Sequence, residues 1–230
     1  MSDGFGYGQY CPIAVTAEII AERWTPLVLR ALVLGATRYS EIHDSVPRMS
    51  PTLLTRRLRE LEQAGVVERR PRTAGHGSDY LLTEAGRELF PVLESMGWWS
   101  QKWLRREITR DRNLDPDILM WEIRREARNP GRVLESRRVV RFHLHGVAPP
   151  KQRYWLVFES DDVDICVRDP GHEVDLWIEA PMRALVEVWL GHRPLDGALE
   201  DGSLKLDGDW GERAAFRDWF VLSRMAALAE

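Results

Sequence analysis

The stretch 38–82 restricts the folds open to this chain more than any other part of the sequence. Ser50 is a favourable N-cap residue and Pro51 suits the first helical position, so a helix is predicted to begin there. Gly65 is typical of the residue just past a helix end and is expected to stop it. A shorter helical segment, 39–45, comes before, so two helices separated by a tight turn are predicted.

The second of these helices is amphipathic. Leu54, Leu58 and Leu61 follow i, i+4, i+7 spacing and form one apolar stripe. A step of about 100° per residue places polar residues on the opposite face. They are Thr52, Arg56, Arg59 and Gln63. The helix is therefore expected to bury its leucines and to present arginine and threonine side chains to solvent.

The residues after this helix have the pattern of a hairpin. Segments 66–72 and 78–82 are typical of strands, and the glycine-containing segment 73–77 is typical of a flexible turn. Two helices followed by a glycine-tipped hairpin have the layout of a winged helix-turn-helix. A helix fits the major groove of double-stranded DNA, and a hairpin beside it can reach phosphates or the minor groove.

The charge of this stretch favours the same interpretation. Between residues 48 and 72 there are seven Arg against three Glu. An ordinary amphipathic helix and hairpin with a solvated basic face would carry the same charge, and this alternative stays open.

The sequence predicts two sets of DNA contacts. Side chains on the exposed helix face are expected at base edges, namely Thr52, Thr55, Arg56 and Arg59. A second set is expected at phosphates or in the minor groove, namely Ser50, Arg57, Arg69, Arg72 and His76.

Residues 10–105 resemble the HxlR family of bacterial transcription regulators, which are relatives of the MarR group. The matching features are Cys11-Pro12, the helix entry at Trp24, Arg38-Tyr39-Ser40-Glu41, the helix from Ser50 to Arg57 with Leu58-x-x-Leu61-Glu62, and the helix start Leu82-Thr83-x-x-Gly86. The resemblance implies a homodimer that binds specific sequences of double-stranded DNA as a repressor or an activator. Repression is the expected mode.

The length of 230 residues suits two domains. The polar segment 111–116 ends in proline and is the predicted boundary. A winged-helix DNA-binding and dimerisation domain is expected over 1–112, and a second domain over 117–230. Residues 1–113 carry 16 Lys and Arg against 14 Asp and Glu, whereas the remainder carries 16 against 22. The acidic second part is therefore expected to avoid DNA and to have another role.

The sequence contains no run of about 18 apolar residues and no secretory leader pattern, so no membrane association is expected. Its two cysteines are far apart and give no disulfide framework. These features predict a cytoplasmic protein.

Cys11 is a candidate redox sensor. It lies at the predicted start of the first helix, where the helix dipole favours a thiolate. Several members of the resembling family sense oxidants or electrophiles through a cysteine at this Cys-Pro position. The alternative is a small packing residue without a signalling role.

Helices over 12–23 and 24–34 are predicted to support the stretch 38–82. The first of them is expected to turn Ile13, Ala17, Ile20 and Ala21 inward. Thr83 can cap a long helix that runs to about Arg112, bent by Pro91 or beginning near it. Apolar residues recur along it at spacings near 3.5, so homodimerisation through this helix and the first one is predicted. Its cluster of Trp98, Trp99 and Trp103 is interpreted as interface core, with a ligand site as the alternative.

The second domain is predicted to have the α+β fold class. Four segments alternate with period two: Val139 to Leu144, Arg153 to Glu159, Val163 to Arg168 and Glu173 to Ala180. Short turns join them, so neighbouring strands are expected to be antiparallel. Helices over 117–128, after Pro181 and over 210–228 are expected to cover one face of this mostly antiparallel sheet.

Residues 118–225 resemble the sterol-carrier-protein-type-2-like domain. The matching features are the strand around Asp175, the helix ending Trp189-Leu190-Gly191, the turn Ala198-x-x-Asp201-Gly202, and Leu204-x-Leu206-x-Gly208-Asp209. The resemblance implies an apolar cavity for a lipid-like effector, or a domain kept only for dimerisation. Candidate cavity residues, each equally suited to a plain core, are Phe142, Phe158, Leu185, Trp189, Phe216 and Trp219.

The other face of the predicted sheet carries mostly charged residues and one tryptophan, Trp177, which suggests that something docks there. His143 and His145 share this face and could ligate a metal. No carboxylate or cysteine pair lies near them in sequence, so a solvated or packed pair is favoured and no metal site is predicted. The acidic residues at 161, 162 and 164 lack the glycine and the distal glutamate of a calcium loop. No catalytic motif is present, so neither catalysis nor a cofactor is predicted.

Two functions from different classes remain. The first is a dimeric regulator on a two-fold symmetric operator, modulated by an apolar effector in the second domain, by Cys11 oxidation, or by both. The alternative is a carrier of small apolar ligands in which 117–230 is the primary functional unit. An enzyme built on the second domain is disfavoured.

Overall fold

The structure is a computed structural model that describes residues 6–72, 76–127, 137–159 and 162–228. The chain divides into two compact units, Met1–Met96 and Gly97–Glu230. This division comes earlier in the chain than the boundary predicted after residue 112. None of the helices described is both long enough and apolar enough to cross a bilayer.

The first unit is a bundle of short helices with a two-stranded hairpin. In chain order its elements are α1 (Pro12–Ile20), α2 (Thr25–Val33), α3 (Tyr39–Asp44), α4 (Pro51–Gln63), β1 (Val67–Pro71), β2 (Ser78–Leu82) and α5 (Glu84–Glu88). Apolar side chains from α2, α3, α4 and the start of β1 form one core, which includes Leu29, Ile42, Leu54, Leu58 and Val66. The predicted succession of helix, turn, helix and hairpin is confirmed. Of the predicted turn 73–77, only His76 and Gly77 lie within the described residues.

The hairpin is held next to the helices by backbone contacts. β1 and β2 are antiparallel, with Val67 opposite Leu82 and Pro71 opposite Ser78. The amide of Tyr80 donates to the Thr37 carbonyl at 2.9 Å, which ties β2 to the segment before α3. The hairpin is therefore fixed to the helix-turn-helix through the middle of β2.

Gly86 lies where α5 approaches the backbone between α4 and β1 closely. Thr83 caps α5 by accepting from the Gly86 amide at 3.1 Å. A Cβ at Gly86 would lie 2.2 Å from the Val66 carbonyl oxygen, so a larger residue would push α5 off the end of the hairpin. This explains the glycine at the last position of the Leu82-Thr83-x-x-Gly86 motif.

The long helix predicted from Thr83 to about Arg112 is wrong, because the chain breaks it into separate pieces. After α5 come α6 (Phe90–Trp103), α7 (Arg105–Ile108) and a 3-10 turn (Asp111–Asn113). Pro91 lies at the second position of α6, where a missing amide costs nothing, so it begins a new helix instead of bending an existing one.

The second unit is a five-stranded sheet with helices. After α7 it contains α8 (Pro116–Ala127), β3 (Arg138–His145), β4 (Arg153–Phe158), β5 (Val163–Cys166), β6 (Leu176–Pro181), α9 (Met182–Trp189), α10 (Leu195–Glu200), β7 (Lys205–Gly208) and α11 (Trp210–Trp219). Short 3-10 turns occupy Pro149–Lys151 and Arg224–Leu228. The core packs residues of β3, β4 and β6 against α8, α9 and α11.

The strand order in this sheet is β5-β4-β3-β6-β7. Three of its four pairings are antiparallel, as predicted, but β3 and β6 are parallel. The expectation that neighbouring strands are antiparallel is therefore wrong for β3 and β6, and β5 and β6 do not pair although they are consecutive in sequence. The segment between them crosses to the far side of β3, so β6 buries Leu176 and Ile178 beside Phe142.

The opposite face of the sheet is only partly covered. Val139, Trp155 and Val157 form a small apolar cluster there. The Arg141 guanidinium carbon lies 4.1 Å from the Trp177 ring centre and 5.3 Å from that of Trp155. Cation–π contact with Arg141 therefore explains in part why Trp177 lies on this mostly charged face.

Candidate nucleic-acid interface

Helix α4 is fixed at its start by the predicted cap. The Ser50 hydroxyl accepts from the Leu53 amide at 3.3 Å, and Pro51 occupies the first helical position. Leu54, Leu58 and Leu61 are buried in the core of the first unit. Since the whole leucine stripe is buried, the opposite face of α4 must point to solvent.

That exposed face carries the residues predicted to meet base edges. Thr52, Thr55, Arg56 and Arg59 are all exposed. Thr55 donates to the Pro51 carbonyl at 3.0 Å, and the Tyr39 hydroxyl donates to the same carbonyl at 2.8 Å. The first turn of α4 is therefore held to α3, and its polar side chains project from a fixed backbone.

The two arginines of this face differ in their partners. Arg56 forms an ion pair with Glu60, Nε to Oε1 at 3.5 Å, and its side chain is 60% exposed. Arg59 makes no ion pair within the described part of the chain. An exposed pair contributes about 0–1 kcal/mol, so both guanidinium groups are available to a ligand at little cost.

Arg57 lies on the buried side of α4 and not on its exposed face, so the structure does not support the phosphate contact predicted for it from the sequence. Its side chain is 6% exposed and forms two ion pairs of 2.5 Å, Nη2 with Glu22 and Nη1 with Glu60. The reason is helical geometry. Residue 57 follows Leu54 by three and precedes Leu61 by four, so it lies on the buried stripe. The i, i+3, i+4, i+7 spacing of residues 54, 57, 58 and 61 could have revealed this.

The hairpin presents a second basic surface. Arg69 and His76 are exposed, and Arg69 has no ion pair among the described residues. Arg72 is half-buried and its Nε donates to Asp79 at 2.9 Å, which joins the two arms of the hairpin. The pair occupies only Nε of Arg72 and partly neutralises its charge, so a phosphate contact would use the Nη groups, and that contact stays a prediction.

Arg48 and Arg70 are two exposed arginines to which sequence reasoning assigned no role. Arg70 pairs with Glu68 two residues earlier on β1 at 2.5 Å, and both side chains are largely exposed. Both arginines were counted in the basic charge of the stretch, but the pattern of a strand and a turn did not show which way they point.

Cys11 lies immediately before α1, as its N-cap residue, and it is half-buried with a free thiol. Its carbonyl accepts from the Val15 amide at 3.1 Å, so the residue is part of the first helical turn. The other thiol, that of Cys166 on β5, is also free. Burial, and secondarily the charge of Asp164, raises the Cys166 pKa.

Apolar side chains are exposed on α1 and α6. Ile13, predicted to face inward, is 79% exposed, and Val15 is 49% exposed. On α6 the exposed set includes Met96, Trp98, Trp99 and Trp103, the last at 64%. Patches of this kind mark interaction surfaces in proteins.

The six predicted cavity residues come together in the core of the second unit. Phe142, Phe158, Leu185, Trp189, Phe216 and Trp219 are all buried. The Phe158 and Trp219 ring centres lie 4.9 Å apart, and those of Phe216 and Trp219 lie 5.1 Å apart. The indole Nε1 of Trp189 is buried and has no hydrogen-bond partner among the described residues.

Sequence comparisons match the first half of the chain. The family described as HxlR-like helix-turn-helix matches residues 19–108. An uncharacterized HTH-type transcriptional regulator of Methanothermobacter thermautotrophicus is 35% identical over 106 residues, which are 43% of this chain and 77% of that protein. The HTH-type transcriptional regulator YodB of Bacillus subtilis is 36% identical over 95 residues, which are 40% of this chain and 84% of YodB.

The solved structure of quinone-bound YodB is 33% identical and covers 40% of this chain and 99% of that chain, with a TM-score of 0.36. The family match spans α4 and the whole hairpin, which are the elements that carry the interface described above. The chain therefore belongs to the HxlR-like helix-turn-helix family of transcription regulators.

Proposed function

We propose that this protein is a homodimeric repressor that binds a two-fold symmetric operator in double-stranded DNA. The observation that carries the proposal is the division of α4 into a buried leucine stripe and an exposed face of Thr52, Thr55, Arg56 and Arg59. In this proposal the exposed face enters the major groove, where arginine pairs with guanine and threonine contacts either base edges or the thymine methyl group.

The phosphate contacts in the proposal come from residues outside the groove-facing helix surface. Arg69 and His76 of the hairpin, with Ser50 at the start of α4, are exposed and lie on the same basic stretch. Helix N-termini and arginine side chains are common phosphate ligands, and they set register without reading sequence. Arg57 is excluded because its guanidinium is occupied by two carboxylates.

The proposed dimer uses the exposed apolar residues of α1 and α6. Ile13 and Val15 on α1, and Trp99 and Trp103 on α6, offer apolar surface that a second copy would remove from water. A two-fold dimer would present two copies of α4, so its half-sites are expected about one helical turn, or 10 bp, apart or at a multiple of it.

Selection of binding sites from random and genomic DNA by the purified protein tests this proposal. A two-fold symmetric motif would support it and would supply the operator. Binding that is weak, independent of sequence and steeply dependent on salt would overturn it, because phosphate contacts alone behave in that way. A reporter fused to the selected operator would then show whether binding represses.

An effector site in the second unit is a separate proposal, supported by the resemblance to sterol-carrier-type domains and by the orphaned Trp189 Nε1. A buried donor without an acceptor costs free energy, which an acceptor on a bound apolar molecule would recover. Native mass spectrometry of the purified protein tests it. A retained lipid-like molecule would support a ligand sensor, or a ligand carrier if the DNA selection yields no motif. If the protein took up no apolar probe, the sensor and the carrier functions would both be excluded.

Oxidation of Cys11 is the second proposed input. Its free, half-buried thiol begins α1, the helix that also carries exposed Ile13 and Val15, so a modified thiol would change a surface proposed for dimerisation. YodB, a relative by sequence, has a solved structure with quinone bound, and we propose that this chain responds to such compounds through Cys11. Operator binding is measured before and after peroxide or quinone, for wild type and Cys11→Ser. An equal response of both excludes Cys11 as the sensor.

A further inference from the structure

Three side chains with metal-binding atoms meet on the outward face of the sheet in the second unit. The alternation of β3 buries Phe142 and Leu144 and turns His143 and His145 to the opposite face. β6 lies parallel to β3 with Glu179 directly opposite His143, and its own alternation leaves Glu179 exposed. Strand register therefore places a carboxylate beside two imidazoles.

The spacing of their ligand atoms suits a single ion. One ligand atom from each of His143, His145 and Glu179 lies within 4.8 Å of the other two. His145 Nε2 and Glu179 Oε1 are 2.7 Å apart, and the two imidazole centres are 4.5 Å apart. Ligands about 2.1 Å from a tetrahedral ion lie about 3.4 Å from each other. Because these side chains are partly or fully exposed, we expect side-chain rotation to bring the three ligand atoms to that separation.

We propose that His143, His145 and Glu179 form a binding site for Zn²⁺. Two neutral imidazoles and one carboxylate are a donor set of zinc, whereas calcium and magnesium take oxygen ligands. Three protein ligands leave the fourth position to water or to a donor from another molecule. Sequence reasoning rejected a site here because it sought a carboxylate nearby in the chain, but Glu179 is 34 residues away from His145.

Two positively charged side chains flank the site and are expected to lower its affinity for a metal ion. Lys205 on β7 is opposite Glu179, and Arg153 on β4 is opposite His143. Both side chains are exposed, so water screens them and they can turn away, but they weaken attraction for a cation. The competing explanation for the geometry is an ordinary ion pair between His145 and Glu179, which would hold no metal.

The test is Zn²⁺ titration of the full chain after treatment with a chelator, by calorimetry and by competition with a chromogenic zinc chelator. Cys11 and Cys166 are alkylated beforehand in every sample, so that thiols do not bind the ion. The variants are His143→Gln, His145→Gln and Glu179→Gln. The matched control is His172→Gln, because His172 is exposed and is not among these three ligands. Thermal melting without metal checks that each variant is folded.

The wild type and His172→Gln are expected to bind one Zn²⁺ per chain, and Co²⁺ in its place should give the visible spectrum of a four-coordinate site. Each ligand variant should bind at least about tenfold more weakly, because loss of even an outer-sphere partner weakens metal affinity about 10- to 100-fold. Absence of stoichiometric zinc binding by the wild type overturns the proposal. So does equal affinity in folded ligand variants, which would leave only the ion pair.

Discussion

Replacement of Arg57 by alanine is expected to lower the free energy of unfolding of the first unit without removing a DNA contact. The guanidinium forms ion pairs of 2.5 Å with Glu22 and Glu60, whose side chains are 58% and 45% exposed. Because both carboxylates can be rehydrated, each lost pair is worth about 1 kcal/mol, well below the cost for a fully buried pair. The two methylene groups that alanine lacks add about 0.8 kcal/mol each.

The expected loss is therefore about 3.5 kcal/mol, equivalent to a fall in melting temperature of at least about 10 °C for a unit of this size. Hydrogen exchange of the α4 amides in the full chain measures this, because it reports the first unit separately from the second. Arg57→Met is the matched control. It keeps the buried stem and should lose only the ion-pair contribution, about 2 kcal/mol.

The opposite result would show the burial argument to be wrong. If Arg57→Ala exchanged its α4 amides at the wild-type rate but bound operator as poorly as Arg59→Ala, Arg57 would be a phosphate ligand. Operator affinity is compared well below the melting temperature of the variant, so that unfolding does not imitate a lost contact.

Three further predictions concern other parts of the chain. Arg59→Ala should weaken specific operator binding by about 1–3 kcal/mol and relax the base preference at one position, with an unchanged melting temperature. If the variant kept the operator affinity and the base preference of the wild type, the proposed contact of Arg59 with a base would be excluded. Trp99→Gln combined with Trp103→Gln should shift the protein towards monomer in analytical ultracentrifugation, and an unchanged dimer would place the interface elsewhere. Burial, and secondarily the charge of Arg105, lowers the pKa of His192. The unfolded state therefore binds the proton more readily, so the second unit should lose stability as pH falls below 6.5, the ordinary histidine value. A His192→Gln variant with the same acid slope would assign that loss to another group.

The elements predicted best from sequence are those fixed by local chemistry. Ser50, Pro51 and Gly65 bound α4 as expected, and Gly65 takes the left-handed backbone (φ 71°) that favours glycine. The strand over 78–82 has the predicted ends. In each case the signal lies within a few residues of the feature that it sets.

Features that depend on distant partners were missed. The apolar spacing after Thr83 showed which side chains share a face, but it contained no information on whether the backbone between them stays helical. The parallel pairing of β3 with β6 depends on which strand buries its apolar side against α9 and α11, which no turn motif reveals.

The candidate sites divide in the same way. The exposure of Thr52, Arg56 and Arg59 follows from helical periodicity alone, and it is confirmed. The removal of Arg57 from the interface requires Glu22, which lies 35 residues away. The approach of Glu179 to His143 requires the strand order, so no local pattern could have predicted it.

The two carboxylate oxygens of Glu60 pair with two different arginines, one exposed and one buried. Oε1 faces the exposed Arg56, and Oε2 holds the buried Arg57. A neutral residue at position 60 would release Arg56 and take a negative charge away from the neighbourhood of phosphates, yet it would loosen the anchor of α4. In the proposed regulator, a substitution at this position would therefore change both the residence time at an operator and the stability of the folded protein.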